Sequence, residues 1–159
     1  KYILLNESKL IKLFNLKKMK FKNKDLKNNT EIEIPSITNF FMLYADLNNN
    51  QINTQLIKSL KKYYKNDKYF FPSISSNHKS FEDKRYWRGP VWINCNWIIY
   101  QGLKNKDKKF SEIIRKQTIN LIEKQKFREY YSSKTGLGLG AKNFSWSAAL
   151  YLDLKLNNT

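Results

Sequence analysis

The run Arg85-Tyr86-Trp87-Arg88-Gly89-Pro90-Val91-Trp92-Ile93-Asn94-Cys95-Asn96-Trp97-Ile98-Ile99-Tyr100-Gln101-Gly102-Leu103 decides how the rest of the chain is read. Its first part is aromatic and interrupted by Gly89 and Pro90. Its second part is apolar and long enough for about three turns of helix. Pro90 suits the first turn of that helix, and Gly102 stands near its end. The only charge between Tyr86 and Leu103 is Arg88. An aromatic loop that leads into an apolar helix is therefore expected.

Working outward, helical patterns flank this run on both sides. Upstream, Ser36 follows Pro35 as an N-cap, and Ile37, Phe40, Phe41, Leu43, Tyr44 and Leu47 form one apolar face. Asn48-Asn49-Asn50 reads as a turn, and Ile52, Leu56, Ile57, Leu60, Tyr63 and Tyr64 give a second stripe. The two together predict an antiparallel helical hairpin. Residues 65–89 have no helical period and read as a long loop. Loops beyond about 12–15 residues in a compact domain usually serve function. Downstream, an amphipathic helix is predicted from Asp107 to Gln125, a second long loop over 126–143, and a last helix from Ser145 to Leu156. Residues 1–34 are a mixed segment. Leu10, Ile11, Leu13, Phe14 and Leu16 could form a helical stripe, and short strands could lie near 2–5 and 31–34. The pattern is all-α: helix pairs separated alternately by short turns and long aromatic loops, with residues 35–159 as the clear helical part.

Composition removes several function classes. The 159 residues suit one ordinary domain. Their 41% hydrophobic and 15% aromatic content is too rich for a disordered basic tail. No apolar run reaches the roughly 18–20 residues of a membrane span. The formal charge of +17 invites a nucleic-acid reading, but 26 of the 30 cations are Lys and only four are Arg. Forked recognition of bases and phosphates leans on Arg. The lysines accompany 19 Asn and 15 Ile, as AT-rich codon drift would produce, and concentrate in 17–27, 58–68 and 104–109. A solvated surface is the favoured reading, and no nucleic-acid partner is expected. One cysteine, Cys95 in an apolar run, and one histidine, His78 in a polar loop, leave no disulfide framework and no zinc cluster. Neither a metal nor a cofactor is expected, since Gly136, Gly138 and Gly140 merely alternate and lack phosphate-loop spacing. The first residue is Lys1 rather than Met, and the chain reads as an excised piece of a longer one.

The loops carry the chemistry. The first presents Tyr86, Trp87, Arg88 and Trp92 around Gly89; the second presents Phe127, Glu129, Tyr130 and Tyr131, then Phe144 and Trp146. Flat aromatic faces with a few hydrogen-bonding groups suit a sugar ring, and equally a nucleobase. Glu129 is the natural acid/base candidate among them. The same residues read otherwise are helix-end core, with Glu129 paired to Arg128 or a surface lysine. Glu112 and Glu123 read as exposed partners of nearby cations. Glu82 and Asp83 read as loop salt bridges with Lys84 and Arg85.

Residues 85–92 with Asn94, Asn96, Trp97, Gln101, Gly102 and Leu103 resemble a signature of six-hairpin glycosidases. So do Phe127-Arg128-Glu129-Tyr130-Tyr131, Thr135, Gly136, Gly138, Gly140 and Asn143-Phe144-Ser145-Trp146-Ser147-Ala148-Ala149. Within that clan the chain is most similar to mannosylglycerate-hydrolase-like and family 63 glycoside hydrolases, and more distantly to trehalases. The resemblance covers roughly 35–156 and implies the C-terminal half of an (α/α)6 barrel. It implies hydrolysis of α-glucosides or α-mannosides with inversion, by one carboxylic acid and one carboxylate on opposite faces of the sugar. By position Glu129 matches the general base. Tyr86, Trp87, Gly89 and Trp92 match residues lining the sugar subsite, with Gly89 admitting backbone close to the ligand. Arg88 would hydrogen-bond the sugar or fix the loop, and Trp146 with Phe144 would close the pocket. The matching general acid lies far upstream in these families. None of Asp25, Asp46, Asp67 or Asp83 sits in its motif, so the chain alone is expected to be inactive and to need the missing upstream half of the barrel. Ser133 stands where the family usually has Pro, which should loosen the loop holding Glu129. Ser76, Asn77 and His78 replace acidic residues, which leaves the acceptor open between glycerate and a longer oligosaccharide. The rival class is a non-catalytic module binding carbohydrate or single-stranded nucleic acid through the same loops.

Overall fold

Ser36 opens the main helical frame, as its hydroxyl accepts from the Thr38 amide at 3.3 Å. The computed structural model describes residues 2–15, 17–18, 20–21, 23–45, 47–64 and 68–156. The chain winds after Ser36 as a 3-10 helix over Ile37–Leu43, not as the α-helix its apolar face suggested. The reason lies in spacing. Ile37, Phe40 and Leu43 recur every third residue and all three are buried, and a 3-10 helix aligns side chains at i and i+3. An earlier helix, α1, spans Tyr2–Lys12, where a strand had been an option near 2–5. Asn49 accepts the Ile52 amide at 3.0 Å and starts α2, Asn50–Tyr64.

Three more helices follow near their expected bounds: α3 is Ile93–Leu103, α4 is Lys108–Gln125 and α5 is Ser145–Leu156. The carboxylate of Asp107 caps α4 through the Phe110 amide at 3.1 Å. Behind α1 come two small antiparallel pairs, β1 (Phe14–Asn15) with β2 (Lys20–Phe21), and β3 (Asn23–Asp25) with β4 (Thr30–Ile32). β4 overlaps the strand expected near 31–34. The helical stripe option is split between α1, which holds Leu10 and Ile11, and β1, which holds Phe14. Leu16, Asp46 and Asp67 lie outside the described residues.

The helical frame makes up about half the chain. One departure from an all-α reading matters for function. The expected loop 126–143 folds instead into a hairpin of β5 (Arg128–Tyr131) and β6 (Gly138–Lys142). The glycines alternating with Leu137, Leu139 and Ala141 obscure the strand pattern, because a glycine contributes no side chain to an alternation.

α3 is the centre of the packing. Ile93, Cys95, Asn96, Ile99, Tyr100, Gly102 and Leu103 are all buried, so the helix is enclosed on more than one face. Around it gather Ile37, Leu43, Leu56, Leu60, Phe70, Phe71, Phe110 and Ile114. Gly102 lets α3 approach the 3-10 helix closely. A Cβ there would lie 2.7 Å from the backbone of Leu43 and Tyr44. Pro90 stands outside the helix, not in its first turn. The backbone of Val91 exchanges both hydrogen bonds with Tyr131, at 2.7 and 2.9 Å, which keeps 90–92 extended until α3 begins.

Burial pushes the Cys95 thiol up to about 12, so at neutral pH it is protonated as well as inaccessible. A thiol-alkylating reagent at pH 7.5 should therefore leave the folded chain unmodified, and should label one site per chain in denaturant. Stoichiometric labelling of the folded chain would contradict this burial. No helix among the described residues is long and apolar enough to cross a membrane.

Candidate active site

Aromatic rings stack where the loop of 81–92 meets β5. Trp87 lies flat on Trp92, with centroids 4.1 Å apart and planes 4° from parallel. Tyr130 stacks on Trp92 at 5.0 Å, and Tyr86 meets Trp92 edge-on at 4.9 Å. The indole N–H of Trp92 donates to the Tyr86 carbonyl at 3.2 Å. Trp92 is only 2% exposed, while Trp87 and Tyr86 are 40% and 50% exposed. Trp92 is thus the buried floor of the stack, and Trp87 and Tyr86 form its accessible surface. Tyr86 adopts φ +38°, a strained conformation for a bulky residue and one that clusters at functional sites.

Two main-chain bridges attach this loop to its surroundings: Pro72 pairs with Val91, and Val91 pairs with Tyr131. Glu129 lies two residues before Tyr131, at an irregularity in β5–β6 pairing between Arg128 and Tyr130. Such bulges re-aim a side chain. The Glu129 carboxylate accepts the Ala141 amide at 3.1 Å across the hairpin, and among the described residues it forms no ion pair. Gly140 gives it room: its φ is +65°, and a Cβ there would stand 2.5 Å from Glu129 Oε2. Gly140→Ala should accordingly displace the carboxylate and strain β6 at that residue. We expect at least a tenfold loss of catalysis in a protein carrying the whole catalytic domain, since about 1 Å of misplacement can cost about a hundredfold. Unchanged turnover in a kinetic assay would show that this carboxylate's position is immaterial.

The remaining residues sort differently from expectation. Arg88 bonds Glu82 at 2.7 Å, and the Glu82 amide donates to the Arg88 carbonyl at 2.6 Å, so of its two expected roles the geometry gives loop fixing. Gly89 is needed by the protein's own backbone: a Cβ there would collide with the Glu82 carbonyl. Its amide donates to Ser73 Oγ at 2.9 Å. Trp146 is 44% exposed and pairs with Phe144 at 6.3 Å, as a second aromatic group at the start of α5. That start is tied to β5, since Ser147 Oγ donates to the Arg128 carbonyl at 2.7 Å. Glu112 and Glu123 pair with cations as expected, Arg115 at 2.8 Å and Lys155 at 2.8 Å.

Asp83 departs from its expected salt bridge. Its carboxylate accepts from Ser132 Oγ, from Ser133 Oγ at 2.9 Å and from the Lys134 amide at 3.1 Å. Partial burial works to raise its pKa, but these donors bring it below the ordinary carboxylate value. Ser133, expected to loosen the hairpin, is 1% exposed and helps to anchor it. No local signal marks Asp83, because its partners lie about fifty residues away in sequence.

Against known proteins, the profile of the mannosylglycerate hydrolase MGH1-like glycoside hydrolase domain matches residues 5–147. The chain belongs to this glycoside hydrolase family. A mannosylglycerate hydrolase of Thermus thermophilus is 35% identical over 131 residues, covering 80% of this chain and 31% of the relative. A glucosylglycerate hydrolase of Mycolicibacterium hassiacum is 32% identical over 83 residues, covering 52% of this chain and 19% of the relative. Among solved structures, a GH63 mannosylglycerate hydrolase from Thermus thermophilus in complex with Tris and D-glycerate superposes with a TM-score of 0.89. It is 32% identical, and the match covers 95% of this chain and 37% of that one. The chain spans about a third of the length of the mannosylglycerate hydrolases it matches. The stretch matched to the MGH1-like family includes both the aromatic stack and the β5–β6 hairpin.

Proposed function

We propose that this chain is the general-base side of an inverting α-glycoside hydrolase, built as part of an (α/α)6 barrel. Its substrates are α-linked glucosides or mannosides of the glucosylglycerate, mannosylglycerate or α-gluco-oligosaccharide kind. The observation that carries the reading is the pairing of Val91 with Tyr131, which sets the strand bearing Glu129 against the loop bearing Trp87. An exposed indole face offers a surface for the apolar C–H face of a sugar. A carboxylate on a neighbouring strand can take a proton from water attacking the anomeric carbon. Inversion needs a second carboxyl group about 6.5–9.5 Å away to protonate the leaving oxygen, and in this reading the rest of the barrel supplies it. Family membership supports the reaction class, and the names of the relatives support the substrate range.

A protein carrying the whole catalytic domain should be assayed on glucosylglycerate, mannosylglycerate, trehalose and α-gluco-oligosaccharides. Proton NMR then reads the first-formed anomer. Release of the β-anomer from an α-glycoside is expected. From the glycerate glycosides or the oligosaccharides, a first-formed α-anomer at the cleaved linkage would refute inversion, whereas α,α-trehalose yields one glucose of each anomer on inversion; hydrolysis of none of these compounds would refute the substrate range.

A further inference from the structure

The carboxylate of Asp83 sits in the loop that carries Trp87, yet all three of its hydrogen-bond donors belong to the turn between β5 and β6. Ser132 and Ser133 are buried, and Ser132 Oγ in turn accepts the Thr135 amide at 3.0 Å and the Thr135 hydroxyl at 2.9 Å. Asp83 therefore terminates a chain of bonds that shapes the whole turn. On its own side, neighbouring Glu82 is fixed by Arg88 through both side chain and main chain. The loop and the hairpin are joined at two separated points, the Val91–Tyr131 bridge and the Asp83 cluster. One such point leaves the hairpin free to pivot in any direction; a second confines it to rotation about the line through both.

We propose that Asp83 is a positioning residue that sets the angle of the β5–β6 hairpin, and with it Glu129, relative to the Trp87–Trp92 stack. The proposal rests on the reading of Glu129 as the general base. Asp83 touches neither substrate nor reacting atoms in this arrangement. Its charge is met by hydroxyl and amide donors, which have a direction, so it fixes orientation more tightly than an exposed ion pair does.

The test uses Asp83→Ala, Asp83→Asn and Ser133→Ala in a protein carrying the whole catalytic domain, with steady-state kinetics, thermal unfolding and amide hydrogen exchange. Expected for Asp83→Ala is a 10–100-fold fall in kcat, on the order of what small misplacements cost, with KM within about threefold on the same argument. Exchange at Lys134, Thr135 and Leu137 should quicken. Ser133→Ala should show the same change at a smaller size, and combining it with Asp83→Asn should add less than the sum of the two. Turnover of Asp83→Ala within twofold of the parent overturns the proposal, as does an activity loss wholly matched by loss of folded protein. Unchanged exchange in the turn also overturns it. A parent protein that hydrolyses no α-glycoside refutes the general-base reading and the proposal together, whereas an active parent with indifferent Asp83 variants refutes the positioning role alone.

Discussion

Glu129→Gln, in a protein carrying the whole catalytic domain, should lower kcat by roughly 10²–10⁴-fold while sugar binding persists. The amide keeps the shape of the side chain and can still accept the Ala141 amide through its oxygen, so the hairpin should hold. What it loses is the capacity to take a proton from water. Because the stack of Trp87, Trp92 and Tyr130 is untouched, the dissociation constant for a monosaccharide product should stay within a few fold. Stopped assays for turnover and calorimetry for binding separate the two effects. Near-parental turnover would remove Glu129 from the mechanism. Lost binding with unchanged kcat would make it a ligand contact instead.

Asn96→Ala should destabilise the fold by about 3 kcal/mol or more. Asn96 is 1% exposed and sits on α3. Its amide donates to the Phe70 carbonyl at 2.8 Å and to Thr118 Oγ1 at 3.0 Å. Its oxygen accepts the Phe71 amide at 3.0 Å. Alanine removes all three of these buried hydrogen bonds at once, and each contributes on the order of 1 kcal/mol. Because Phe71 leads directly into Pro72 and so to the Val91 bridge, local loosening should spread toward the aromatic loop. Denaturant unfolding gives the size of the effect. A midpoint within error of the parent would mean that this network adds nothing.

Sequence patterning reached α2, α3, α4 and α5 because each carries an apolar stripe or a cap that acts locally. It misjudged Ile37–Leu43, where a spacing of three was absorbed into a helical face of three and four. It missed β5–β6, because Gly136, Gly138 and Gly140 silence the alternation by which a strand is recognised. At the site, the aromatic residues and Glu129 stood out by chemical type. Their partition did not, for nothing local in Trp87 or Trp92 tells which ring faces solvent and which lies beneath. Gly89 was read as lining the sugar subsite and Arg88 as either bonding the sugar or fixing the loop; sequence did not show that both also meet Glu82, through its carbonyl and its carboxylate, in the same loop. Asp83 was invisible for a plainer reason: its role depends on residues that only folding brings near.

The isolated bridges Ser36–Ile74, Pro72–Val91 and Val91–Tyr131 link four separate stretches of chain through main-chain groups. Peptide amides and carbonyls are the same whatever side chain they bear, save for the N–H that proline lacks. This part of the frame therefore tolerates changes of side chain that the Asp83 cluster, Gly89 and Gly140 do not. Exchange of surface residues for lysine, asparagine or isoleucine leaves in place the main-chain bonds that join the loop of 81–92 to the β5–β6 hairpin. A net charge of +17 and an ordered aromatic stack can then coexist in one molecule, because different parts of the polymer answer for each.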